Sequence, residues 1–283
     1  MTALARLTLV PLVLVALLVP VGTAGGDKGG PSPGVELGGL GVAAADGTLY
    51  IARSSAARTT VTAFDADGRV ARSRSLAGTL GIPRVAFDGT LGGLAHDGRT
   101  LVLASAGTVE GSSRFAILVT GGLRLQRTIA LRGSWSFDAL SPDGQKLYLV
   151  EHARGGPTYR VRAYDLLRGA LLREAVIDPR QGGRAMTGVP VTRTHGPGGV
   201  WAYTLYQKPG GLPFVHALDT VRGKALCIEL PWRGNQGRLF DVRMTVQGRK
   251  LVLRNLGGSQ LATIDTRAFV VHAHHNPLRS GSS

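Results

Sequence analysis

Short polar turns followed by alternating apolar positions recur along this chain. The clearest instance is Ser141-Pro-Asp-Gly-Gln-Lys-Leu-Tyr-Leu-Val150, a tight turn feeding a β-strand. Weaker copies are Asp46-Gly47 before Thr-Leu-Tyr-Ile at 48–51 and Asp97-Gly98 before Thr-Leu-Val-Leu at 100–103. Two more are Gly198-Gly199 before Val-Trp-Ala-Tyr at 200–203 and Gln247-Gly248 before Lys-Leu-Val-Leu at 250–253. These turns begin at 46, 97, 143, 198 and 247, a period near fifty, which suits propeller blades rather than the shorter helical repeats.

A second element keeps the same phase and ends in Asp. It reads Val61-Thr-Ala-Phe-Asp65, Val161-Arg-Ala-Tyr-Asp165, Val215-His-Ala-Leu-Asp219 and Leu261-Ala-Thr-Ile-Asp265, with a degenerate copy at 115–119. Each alternates as a strand with one buried face and runs into a turn that its Asp can cap. A third strand follows at 69–76, 123–131, 170–177, 224–230 and 268–274. A fourth element precedes the turns, including 84–87, 135–140 and 239–246. Helical periodicity is nearly absent; 166–172 carries Gly169 in its middle and reads as a turn.

Four strands in each of five units predict an all-β fold, a β-propeller of five four-stranded blades spanning 35–275. Six or seven blades are the alternative, and would need units the pattern does not show. The units run in phase from first strand to fourth, so no blade is expected to be shared between the chain ends. The last strand, 268–274, either completes blade 5 or crosses to blade 1.

The Ser-Pro-Asp-Gly-x-x-Leu-Tyr turn and the Val-x-Ala-Tyr-Asp strand resemble secreted bacterial WD-like and YVTN-type propeller repeats. The stretch 134–232 resembles a family of exported actinobacterial propeller proteins. The resemblance implies a binding or structural propeller and brings no catalytic residues with it.

The N-terminus adds a compartment. Arg6, the apolar run 7–21 and the small residues Gly22, Thr23 and Ala24 predict a secretory signal peptide over 1–24, with an uncleaved anchor as the alternative. The Gly/Pro/Ser segment 25–34 reads as a linker and 276–283 as a flexible tail. The expected location is secreted or extracytoplasmic and associated with the cell surface. Cys227 is the only cysteine, which excludes an intrachain disulfide; in the run 225–230 it reads as a small buried hydrophobe.

Charge widens the range of partners. The formal net charge is +15, and of 33 basic residues only Lys28, Lys146, Lys208, Lys224 and Lys250 are lysine. An Arg surplus spread through an Ala-, Gly- and Val-rich chain fits a compositional bias. It also permits electrostatic contact with anionic surfaces. No motif points to specific nucleic-acid recognition, and the expected state is a monomer.

Three of the first-strand positions, where a propeller presents groups to its axial channel, carry Phe-Asp, so Asp88, Asp138 and Asp241 are candidate ligand-binding carboxylates at one mouth of that channel. Such a ring could hold Ca²⁺ through oxygen ligands or work as an acid/base pair in a hydrolase or lactonase-like enzyme. The competing reading is that each Asp caps its own bend. No other cofactor and no metal site is expected. His96 and His195 precede their turns and could share a rim; His272 and His274 are a weak metal pair. The most individual stretches are 178–189 and 203–214, the second carrying Tyr206, Lys208 and Phe214 as further ligand-binding candidates. Loops on a rigid scaffold are where binding concentrates. The leading expectation is a non-enzymatic binding scaffold for a protein, peptide or cell-wall polymer.

Overall fold

The computed structural model describes residues 32–182 and 184–279. The expected signal peptide, most of the linker and the last four residues lie outside the described residues. Among the described residues no helix is long and apolar enough to cross a membrane.

The chain builds five antiparallel sheets, each a meander of consecutive strands, which together form a five-bladed β-propeller. Blade 1 is Gly41–Ala43, Leu49–Ser55, Arg58–Phe64 and Val70–Ala77; blade 2 is Leu80–Pro83, Thr100–Ser105, Ser112–Val119 and Arg124–Arg132. Blade 3 is Trp135–Leu140, Lys146–His152, Thr158–Asp165 and Ala170–Val176, with Met186–Thr187 added beside its third strand. Blade 4 is Val189–His195, Trp201–Gln207, Phe214–Asp219 and Lys224–Glu229. Blade 5 is Val242–Gln247, Lys250–Asn255, Gln260–Asp265 and Val271–Ala273, so the last strand completes its own blade.

The turns follow from local chemistry. Asp46, Asp97 and Asp143 each accept a backbone N–H two residues on, at 2.9–3.0 Å. Asp65, Asp165, Asp219 and Asp265 do the same before the fourth strand of their blades. Gly144 has φ +67, and a Cβ there would run into Thr100 of blade 2. In a meander the first and third turns of every blade fall at one end, so these carboxylates gather on one rim, the turn rim. The second turns and the connections between blades make the opposite loop rim.

Burial departs from simple alternation. Leu147, Tyr148, Leu149 and Val150 are all buried, as is every residue of Phe214–Asp219. Blades stack face to face, so their middle strands lose water on both sides. Clusters of buried apolar residues fill the junctions 1–2, 2–3, 3–4 and 4–5. None among the described residues joins blade 5 to blade 1. Tyr148 is wholly buried between blades 3 and 4 and donates to the Thr220 carbonyl at 2.8 Å.

Three expectations are corrected. Residues 84–87 are not a strand: Arg84 pairs in a single bridge with Leu91, and the segment between them leaves the sheet. The Phe87 and Asp88 N–H groups donate to the Pro190 and Val191 carbonyls, at 2.9 and 3.1 Å. A blade 2 insertion thus reaches the first strand of blade 4. Phe240-Asp241 ends a 3-10 segment, Gln236–Asp241, ahead of its strand. Val35–Glu36 joins blade 2, pairing with Pro83 and Ile82. The expected tail is docked over 276–279: Leu278 is 2 % exposed in the blade 4–5 core and its carbonyl accepts from Asn235 N–H at 3.1 Å. A single apolar residue among polar ones gives no periodicity by which to see this.

Near the axis, Arg193 of blade 4 is buried against Asp138 of blade 3. Its guanidinium donates to the Asp138 carboxylate and backbone carbonyl, and to Thr204 Oγ1 at 2.7 Å. Their side chains are 1 % and 3 % exposed. Removing one partner strands a buried charge, whereas replacing both with apolar groups does not. Arg193→Met should therefore destabilise the protein by about 3–5 kcal/mol in denaturant unfolding. The double replacement Asp138→Leu with Arg193→Met should recover most of that loss.

Candidate functional site

The two irregular stretches singled out in the sequence, 178–189 and 203–214, meet on the loop rim between blades 3 and 4. They enclose a pocket of about 630 Å³ whose walls include Arg180, Arg184, Met186, Lys208, Phe214 and Glu229.

Asp178 anchors the first stretch. Its side chain caps the turn at Arg180 N–H and also accepts from the Cys227 N–H of blade 4, at 2.9 and 2.8 Å. The Arg180 guanidinium grips the same carboxylate at 2.7 Å. Burial alone would raise this carboxyl, but the bonds from Arg180 and the Cys227 amide outweigh it and hold it below the usual carboxylate range. Gln236 anchors the second stretch. It accepts from Lys208 N–H at 2.7 Å and donates to the Lys208 and Gly211 carbonyls at 3.0 and 2.8 Å. The hairpin tip is thereby tied to the connection into blade 5.

With its backbone fixed, Lys208 lays its ammonium 5.9 Å from the centroid of Phe214. Among the described residues no ion pair includes Lys208 or Arg184. The pocket thus presents two cations outside any ion pair, against the one carboxylate of Glu229, beside a third cation, Arg180, whose side chain is 58 % exposed. It is suited to hold phosphate or carboxylate groups.

The sequence candidates divide. Lys208 and Phe214 line this pocket. Tyr206 does not: it is 4 % exposed and stacks on Phe214 at 5.1 Å and Tyr159 at 6.0 Å, inside the blade 3–4 core. Asp88 caps its own turn, accepting from the Thr90 N–H at 3.0 Å and hydroxyl at 2.6 Å. Asp138 is committed to Arg193, and Asp241 is exposed at the end of its 3-10 segment. Among the described residues no group of three or more His, Cys, Asp or Glu side chains is placed to hold a metal ion. Asp178, Arg180, Arg184 and Gln236 were not singled out. The Asp-Pro-Arg start of the first stretch is the only local signal, since Gln236 acts across 28 residues.

On the turn rim, His96 and His195 do share a depression of about 680 Å³, with Val42, Leu91, Phe137 and Arg193 also in its walls. His195 is solvent-exposed there although densely surrounded by protein. Its surroundings first, and the Arg193 charge second, push its imidazole below the usual histidine range. Cys227 is 8 % exposed, and burial pushes its thiol up to about 12, which makes it inert as a nucleophile.

No protein-family model matches the chain, and no curated protein sequence matches it. Solved structures do resemble it. Hydrazine synthase of Kuenenia stuttgartiensis is 17 % identical, with 88 % of this chain and 80 % of that one covered and a TM-score of 0.45. The Cps50 (Swd1) β-propeller domain of Myceliophteria thermophila is 13 % identical, with 88 % and 70 % covered and a TM-score of 0.48. TolB from Acinetobacter baumannii is 13 % identical, with 80 % and 50 % covered and a TM-score of 0.42. Likeness at this level carries nothing about chemistry, and the propeller assignment stands on the five sheets themselves.

Beneath the pocket, His216 is 1 % exposed, and its Nδ1 lies 3.8 Å from Cys227 Sγ. The Tyr206 ring stands perpendicular to it, and Asp138, Arg193 and Asp178 act on it at longer range. Burial dominates and pushes its imidazole down to about 4. The unfolded chain then binds a proton at a higher pH than the folded one. Stability from this group is complete above pH ~6.5 and is lost as pH falls towards 4, by up to about 1.4 kcal/mol per pH unit. Urea unfolding from pH 7 to 4 should show a slope of that sign, to which the lowered His195 and His152 add, and His216→Gln should remove only this residue's share of it.

Proposed function

We propose that the protein is an extracytoplasmic binding propeller that engages an anionic partner, a protein, peptide or wall polymer, through the blade 3–4 pocket of its loop rim. One observation carries the reading. The two stretches that depart from the repeat converge on one concavity, which they line with Arg180, Arg184 and Lys208, the first and last on clamped backbone. Export rests on the basic residue, apolar run and small residues of 1–24.

A carboxylate hydrolase finds less support. Acid/base work needs two carboxyl groups facing one substrate. Asp88 is spent on its own turn, Asp138 on Arg193, and Asp241 stands apart at the exposed end of the 3-10 segment.

The test is surface plasmon resonance on immobilised poly-L-glutamate and polyphosphate. Binding should weaken steeply as salt rises. Arg184→Glu combined with Lys208→Glu should weaken it at least about tenfold, beyond what one or two surface charges lose by screening alone. The control is Arg72→Glu with Arg74→Glu on the exposed outer strand of blade 1, expected to change binding less than about threefold. Equal losses from the two pairs would mean that only diffuse net charge is at work, and the pocket would be withdrawn.

A further inference from the structure

A second basic concavity adjoins the first. It occupies about 460 Å³ on the same loop rim, between blades 2 and 3, and its walls carry Arg132, Trp135, Glu151, Arg154 and Arg160. Ala185, in the irregular stretch that closes blade 3, lines both pockets. The two are therefore neighbours separated by one stretch of chain.

Their charges do not cancel. Glu151 is paired with Arg162 at 3.2 Å, and Arg180 with Asp178. Among the described residues, Arg132, Arg154, Arg160, Arg184 and Lys208 have no ion-pair partner, against the single unpaired carboxylate of Glu229. Arg132, Arg154, Arg160 and Arg184 are exposed. A compact anion would need these groups to converge, yet they spread over parts of three blades. A folded partner or a sequence-specific peptide would need an apolar anchor pocket. The apolar groups at hand are already packed: Phe214 is 4 % and Cys227 8 % exposed, Met186 packs on the core, and Trp135 lies against the blade 2–3 core with its indole N–H bonded to the Arg132 carbonyl at 2.9 Å.

We propose that the two pockets form one continuous groove for a linear polyanion, a chain of repeating phosphate groups that lies across blades 2 to 4 over Ala185. The arrangement suits such a ligand because each bound charge tethers the next, so affinity grows with chain length until both pockets are spanned. Arginine dominates the set, and its planar fork meets phosphate oxygens in pairs. The proposal rests on the reading of the blade 3–4 pocket given above and extends it to a second site.

Calorimetric titration with inorganic triphosphate and with long-chain polyphosphate separates the two ideas. Affinities are compared per chain after division by the number of binding registers. Triphosphate should be weakened by Arg184→Glu with Lys208→Glu and change less than about threefold with Arg154→Glu and Arg160→Glu. The long chain should bind at least about tenfold tighter than triphosphate, and Arg154→Glu with Arg160→Glu should abolish that gain. If the gain survives in that variant, the groove ends at the first pocket and the present proposal falls, while the blade 3–4 site stands. If neither probe binds, both fall. If poly-L-glutamate of matched length gains affinity and polyphosphate does not, the partner is an acidic peptide and the polymer assignment is overturned. All substituted residues are on the surface, and unchanged thermal unfolding of each variant would confirm that the fold is intact.

Discussion

Backbone from blade 2 reaches across to the first strand of blade 4. The insertion between Arg84 and Leu91 spends its Phe87 and Asp88 N–H groups on the Pro190 and Val191 carbonyls. Those carbonyls belong to an innermost strand, whose polar groups must be paired once a ring of sheets encloses them. Two residues beyond Val191, Arg193 fastens the same strand to blade 3 through Asp138. Further out, Arg243 of blade 5 approaches Asp88 at 4.0 Å. Blades 2, 3 and 4 are thus referred to one strand, and blade 5 to the insertion that pairs with it, although among the described residues no strand is shared between the chain ends and no buried apolar cluster joins blade 5 to blade 1. Chemistry that would otherwise be offered to a ligand along the axis is consumed in holding the ring.

That constraint explains which parts of the molecule the sequence discloses. Turns are local: Asp143 reaches an amide two residues away, and Asp-Gly is chosen by the backbone angle it must adopt. Blade number and the places of most strands were therefore legible. The axis was not, because nothing near Asp138 announces an arginine 55 residues on. Phe-Asp looked like a recurring motif, but its three copies serve as a turn cap, half of a buried ion pair, and the end of a 3-10 segment. In the candidate site, the stretch holding Lys208 and Phe214 was visible as a break in the repeat. Tyr206 was in that break too, yet a strand position facing blade 3 put it into the core, where it stacks between Phe214 and Tyr159.

The same turn chemistry shapes the electrostatics. Each blade turn that wants an Asx cap places a carboxylate on the turn rim: Asp46, Asp65, Asp97, Asp143, Asp165, Asp219 and Asp265 are all there. The chain has 18 acidic residues in total, so these seven are a large share of its negative charge, committed to one face by the fold. Several hold an arginine beside them, as Asp165 does Arg168 and Asp265 does Arg249.

The loop rim receives no such supply. Its hairpins and crossovers need no Asx cap at fixed positions, and an arginine surplus that is uniform along the sequence becomes uneven in space. Arg132, Arg154, Arg160, Arg184 and Lys208 stand there with little to offset them. A compositional bias toward arginine and a functional basic face are therefore not rival accounts. The bias provides the charge, and the propeller's own turn rules remove the compensation from one rim. Two loops clamped by Asp178 and Gln236 give that diffuse property of the sequence a fixed shape.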